Sequence, residues 1–193
     1  MTVRRTLVVL AGALLALAAC GIPLDEEPRA ISADDIGLVT TTTTTTPAPT
    51  VTGPETRVMS LYFVGEGDVL AKSDRATEQA PTVQFVLSEL LGGTTAMERD
   101  DGLFSAIPEG TQLLGTSVNS ITFVATVNLS EDINSITGAR LTQAYAQLVF
   151  TATALPDVES VRFAIDGDPV NVPTDRADQD VVTTADYRSL APV

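Results

Sequence analysis

Seven consecutive threonines, Thr40 to Thr46, run directly into Pro47-Ala48-Pro49. The proline pair removes backbone donors, and the threonines offer almost no apolar surface to bury. With the Asp-, Glu- and Pro-rich residues before it, the segment 20–56 cannot offset its own ordering entropy and is expected to be a disordered tether. The 36 residues from Gly21 to Thr56 would span about 30–36 Å as a coil and roughly 120 Å if stretched. Any packed core must come from the residues that follow, and about 115 of them suffice for one.

The chain starts "MTVRRTLVVLAGALLALAAC". Arg4 and Arg5 make a positive start, and Leu7 to Ala19 form an uncharged run too short for a comfortable membrane span. Residues 1–19 therefore predict a signal peptide. Leu17-Ala18-Ala19-Cys20 has the bacterial lipobox pattern, an apolar residue and two small ones before Cys. Small side chains flank the scissile bond, and the thiol at the new N-terminus accepts diacylglyceryl. Two acyl chains anchor firmly where one anchors marginally, at about 0.8 kcal/mol per buried CH₂. The expectation is lipidation at Cys20, with the domain on the extracytoplasmic face of the cell membrane.

Cys20 is the only cysteine, and the chain has no histidine. Lipidation would leave no thiol for a disulfide, a zinc site or a nucleophile, and the commonest general base is missing. The formal charge is −14, with 25 acidic against 11 basic residues, and loss of Arg4 and Arg5 deepens it. Such a chain repels nucleic acid and anionic headgroups, so attachment would rest on the lipid. Acidity of this kind usually belongs to a solvated surface.

From Arg57 the texture becomes densely periodic. "RVMSLYFV", 57–64, and "DVLAKSDRA", 68–76, read as strands around a turn at Gly65 and Gly67. Val83, Val86, Leu87, Leu90 and Leu91 fall on one helical face between Pro81 and Gly92-Gly93. Two further strands follow across a turn at Asn119-Ser120; in the second, Ile121, Phe123, Ala125, Val127 and Leu129 alternate with polar residues. A helix over about 138–155, a strand over 158–165 and a turn at Asp166-Gly167 complete a ββαββαβ order with a final short strand. The expected fold is α/β (α+β), a single domain over 57–173 with two helices on one face of a mixed sheet. Residues 174–193 make a polar tail in which Val181, Val182 and Tyr187 can dock back.

These segments resemble the GerMN domain of sporulation and spore-germination proteins, common in lipoproteins of Gram-positive bacteria. The resemblance rests on "LYFV" (61–64), "LSELLGG" (87–93), "GLFSAIPEGTQLLGTSV" (102–118) and "TVNLS" (126–130). It continues through "LTQAYAQLVFTATALPDVESVRF" (141–163) and "IDG" (165–167), nearly the whole periodic region. It implies a non-catalytic envelope domain for binding or assembly, some members being similar to ring-building modules of secretion machines. The Thr-rich tether has an actinobacterial look.

Few residues qualify for chemistry. Glu109 in "AIPEG" suits a ligand contact or, more simply, a turn. The acidic "MERDDG", 97–102, lacks calcium-loop spacing and reads as a solvated loop. Asp166 and Asp168 around Gly167 are explained by a hairpin. Three tyrosines and no tryptophan leave little surface for stacking sugars, and no S-x-x-K precedes Lys72, the only lysine. No catalytic residue, metal or cofactor is expected, and no binding residue is assigned; exposed Phe85, Phe104 or Phe150 would be the places to look. The expected role is a membrane-anchored lipoprotein that binds an envelope protein or a peptidoglycan-linked component. The alternatives are a self-assembling ring or scaffold module, and a small-ligand carrier or hydrolase.

Overall fold

A computed structural model describes residues 56–192. The signal peptide, Leu17, Ala18, Ala19, Cys20 and nearly all of the tether lie outside the described residues. The first hairpin pairs β1 (Arg57–Val64) with β2 (Leu70–Thr77) antiparallel, from Arg57 opposite Thr77 to Val64 opposite Leu70. Its apolar side chains Met59, Leu61, Phe63 and Leu70 are buried, while Lys72 and Asp74 stay in solvent.

Helix α1 (Val83–Leu91) starts where the Thr82 side chain accepts the Phe85 N–H. Its buried residues Val83, Val86, Leu87 and Leu90 are the expected stripe, and Leu91 packs at its margin. The helix stops because Gly93 turns to φ 79°, a conformation that favours glycine, and gives its N–H to Leu90 O.

A five-residue helix, α2 (Ala96–Asp100), stands where a solvated loop is expected from "MERDDG". Thr95 and Glu98 form a capping box that satisfies two N–H groups at its start. Glu98 is then buried, because its carboxylate has better partners than water. Arg75 Nε at 3.0 Å, Arg75 Nη2 at 2.6 Å, Ser73 Oγ at 2.5 Å and Thr95 N–H at 2.6 Å all donate to it. Arg75 also lies over the Phe63 ring at 5.4 Å and donates to Gly93 O, tying β2, α1 and α2 together.

The main sheet is mixed, as expected. Strand β3 (Leu113–Asn119) pairs antiparallel with β4 (Val124–Leu129), and β4 runs parallel to β5 (Ser160–Ile165). Along the far edge of β5 lie β6 (Asp168–Val170) and β7 (Val181–Val182), both antiparallel. The parallel pair needs a long crossover, which α3 (Ala139–Thr153) supplies. Ala125, Val127, Leu129, Val161 and Phe163 cover one face of the sheet and are buried. Asp166 at φ 51° and Gly167 at φ 93° form the two-residue hairpin turn that Asp-Gly favours.

The β3–β4 turn opens wider than the sequence pattern suggests. Asn119 Oδ1 accepts the N–H groups of Ile121 and Thr122, and Phe123 N–H bonds Asn119 O, so the ladder resumes only at Val124. Ile121 and Phe123, expected on the buried strand face, are instead 86% and 39% exposed.

Helix α3 is enclosed on most sides. Ala144 to Val149 are all buried, and Tyr145 meets Phe163 edge-on at 4.9 Å. Two polar residues inside this stripe hold the outer edge of β1. Thr151 Oγ1 accepts Tyr62 N–H, and Gln147 Nε2 donates to Tyr62 O. Gln147 Oε1 accepts Ala106 N–H at 2.7 Å, which fixes the segment after α2. The next outward-facing groups of β1 are satisfied by a backbone pair between Val64 and Phe104. The first hairpin thus remains a separate two-stranded sheet, its edge closed by helix side chains and a loop. At the C-terminus Val182 and Tyr187 are fully buried, and a 3-10 helix (Thr184–Leu190) packs on the domain.

Replacing Gln147 by Leu should cost about 2–4 kcal/mol in a urea unfolding curve, because Ala106 N–H and Tyr62 O both lose their partner inside the core. Burial by itself would raise the Glu98 pKa, but hydrogen bonds from Arg75, Ser73 and Thr95 outweigh it and lower it from 4.5 to about 2. Its stabilising contribution is therefore complete above pH 4.5 and lost as pH falls towards 2. Glu98→Gln should lower stability at pH 7 by roughly 3 kcal/mol and flatten the acid limb of the stability–pH curve.

Candidate functional site

Two concave regions stand out on the described surface. One is a shallow depression of about 540 Å³ on the solvent face of the main sheet, lined by Ser117, Asn119, Thr122, Thr126 and Arg162. Its single cation is already paired, Arg162 with Asp180 at 3.3 Å. The other, of about 550 Å³, runs between the C-terminal end of α1, α2 and the segment Phe104–Glu109. It combines apolar lining from Leu91, Phe104, Ile107 and Pro108 with charged groups from Arg99, Arg140 and Glu109. This groove is the candidate site.

Its walls are held by the contacts that build the fold. The end of α1 is set by Gly93 and by Arg75, whose Nη2 donates to Gly93 O at 2.8 Å. The opposite wall is clamped at two points: the Phe104 backbone exchanges two 2.9 Å hydrogen bonds with Val64, and Ala106 N–H is held by Gln147. Ser105 Oγ accepts the Ile107 N–H, and the Pro108-Glu109-Gly110 turn closes through Thr111 N–H to Pro108 O. The Phe104 backbone is thus immobilised while its ring stays 42% exposed.

The cations of the groove are held differently from those of the first hairpin. Lys72 meets Asp74 at 2.9 Å, and Arg75 meets Glu98 at 2.6 Å and Glu89 at 3.6 Å. By contrast, Arg99 Nη1 donates to the backbone oxygen of Thr94, and Arg140 Nε to that of Ala106 at 3.5 Å. Among the described residues, neither guanidinium has a carboxylate within 4 Å. Arg140 also stands in the first turn of α3, where no acidic residue and no side-chain cap offsets the positive end of the helix.

The residues singled out in the sequence separate accordingly. Glu109 is exposed on the lip of the groove, in the turn expected for it. Glu98 is engaged with Arg75 and is unavailable to a ligand. Asp166 and Asp168 sit at the hairpin away from the groove lining. Of the three phenylalanines, Phe104 lines the groove, Phe85 packs against the core, and Phe150 packs on Tyr62 at 5.4 Å. Arg99 and Arg140 escaped the sequence reading: each looks like an ordinary surface arginine until the fold brings them to one cleft. Among the described residues, no group of three or more acidic, histidine or cysteine side chains is arranged to hold a metal ion. No helix among them is long and apolar enough to cross a membrane.

No curated protein matches this sequence. Among solved structures, the first GerMN domain of the sporulation protein GerM from Bacillus subtilis superposes with a TM-score of 0.54 at 12% identity, covering 67% of this chain and 99% of that one. The tandem GerMN domains of the same protein give 0.48 at 18% identity, covering 61% of this chain and 45% of that one. The chain thus spans about half of the tandem structure. A crystal structure of a candidate lipoprotein from Clostridium perfringens gives 0.46 at 19% identity, covering 71% and 93%. The first of these superpositions shows a shared mixed α/β fold. Residues 60–171, from β1 to just beyond β6, match the Germane family, described as sporulation and spore germination, and this chain belongs to that family.

Proposed function

We infer that the protein is a lipid-anchored component of the cell envelope whose Germane domain binds an envelope protein or a cell-wall component without transforming it. The observation that carries this reading is Leu17-Ala18-Ala19-Cys20 behind an apolar run in the same chain as a domain of this family. Acylated Cys20 attaches the chain to the extracytoplasmic face of the membrane, and the Thr- and Pro-rich residues after it give the domain reach.

The groove supports binding over chemistry. It brings together two guanidinium groups and a single carboxylate, Glu109. General acid–base work needs a group poised to take a proton and another to return it, and nucleophilic catalysis needs an activated Ser, Cys or Lys. Arginine stays protonated, the chain has no histidine, and Lys72 is paired with Asp74 on the hairpin. What this lining does well is hold a partly charged, partly apolar ligand in place.

Crosslinking in intact cells with wild type and Cys20→Ala tests this reading. The wild type is expected in the membrane fraction, with diacylglycerol on residue 20 by mass spectrometry and one enriched crosslinked partner. The variant should leave the membrane and lose that partner. A variant that stays membrane-bound with the same partner, or turnover of a substrate by the isolated protein, would overturn it.

A further inference from the structure

We propose that the groove between the end of α1 and the Phe104–Glu109 segment is a binding site for an acidic peptide segment of a protein partner, one that places a carboxylate beside an apolar side chain. The proposal rests on the binding role inferred above and names the chemistry of its ligand.

The charge distribution carries it. In a chain of formal charge −14, two arginines converging on one groove make a local exception to the acidic surface and attract an anion there. Lys72, Arg75 and Arg162 each contact a carboxylate. Arg99 and Arg140 reach the same cleft from two different helices, α2 and the start of α3, and each donates only to a backbone oxygen. Both guanidiniums are exposed and have further N–H donors to offer, in the fork geometry that suits a carboxylate. The first turn of α3 adds partial positive charge beside Arg140, a position in which a cation is unfavourable until an anion joins it. Arg75 and Arg99 also donate to Gly93 O and Thr94 O in the loop that leaves α1.

The remaining lining selects a peptide rather than a bare anion. Phe104 presents an exposed ring on a fixed backbone, with Leu91, Ile107 and Pro108 beside it. An aromatic side chain on a rigid frame is a low-entropy anchor for an apolar residue, and an adjacent arginine is the usual partner of its acidic neighbour. Glu109 on the lip repels a second carboxylate from that end and so orients the segment. The strongly acidic surface elsewhere disfavours the same peptide, which confines an acidic partner to this groove.

The test exposes the full chain, in detergent micelles, to a bead-displayed random hexapeptide library. Retained beads are sequenced for wild type, for Arg99→Gln/Arg140→Gln, for Phe104→Ala and for Arg162→Gln. The expected result is enrichment of Asp or Glu next to an apolar residue, weakening as salt rises. The double variant should lose that enrichment, with affinity for a selected peptide falling about tenfold or more per arginine. Phe104→Ala should lose the apolar preference alone, and Arg162→Gln should behave as wild type, all four melting at similar temperatures. Neutral or basic selected peptides, no selection at all, or selection unaffected by the double variant would overturn the proposal. So would retention by purified peptidoglycan sacculi without selection of acidic peptides. The proposal alone fails if a crosslinked partner depends on Cys20 but acidic peptides are not selected. The broader reading alone fails if acidic peptides are selected and the Cys20→Ala protein remains membrane-bound.

Discussion

Gln147 is the point at which the separate parts of the domain meet. Its carboxamide, wholly buried on α3, accepts from Ala106 and donates to Tyr62, joining the crossover helix to the first hairpin and to the segment that walls the groove. A buried amide is costly unless its donor and acceptor are both satisfied, and here two backbone groups, Ala106 N–H and Tyr62 O, satisfy them. The arrangement converts an exposed strand edge, ordinarily open to pairing with another chain, into an internal contact. Thr151 completes the edge from one turn further along the same helix face. With β1 so fixed, the Val64–Phe104 bridge has a stable base, and Phe104 can keep its ring in solvent while its backbone stays in place.

A second clamp serves the other wall. Arg75 and Glu98 join β2 to α2, and the same guanidinium caps the end of α1 and lies over Phe63. A buried ion pair of this kind contributes little relative to a well-packed apolar pair, but breaking one half of it is costly. Its value here is geometric: it sets the position of α2, and with it Arg99, relative to α1. The Arg75–Glu98 pair holds the scaffold, while Arg99 and Arg140 line the groove.

Much of the fold was legible in the residues. Val83, Val86, Leu87 and Leu90 announced α1 because an amphipathic helix repeats every 3.6 residues, and Ala125, Val127 and Leu129 announced β4 because a half-buried strand repeats every two. Asp166-Gly167 announced its hairpin for an equally local reason, the positive φ at both central positions. The same patterns misled where a side chain competed with the ladder. Ile121 and Phe123 continue the alternation of β4, yet Asn119 captures the intervening N–H groups and turns both outwards. "MERDDG" reads as a solvated acidic loop because nothing in it reveals Arg75, distant in the chain, as the partner that buries Glu98.

By itself, the sequence determined the class of the domain, the places of its principal helices and strands, its acidic composition and the apolar run that ends in Leu17-Ala18-Ala19-Cys20. All of these depend on neighbours within a few residues or on composition. Tertiary structure decided which polar residues are internal and which cations are left unmatched. Gln147, Glu98, Arg99 and Arg140 acquire their roles from groups brought close only by folding: Tyr62 and Ala106 for the first, Arg75 for the second, a shared cleft for the last two. Hydrogen bonds and ion pairs act over a few ångströms of space, and separation along the chain does not predict that distance.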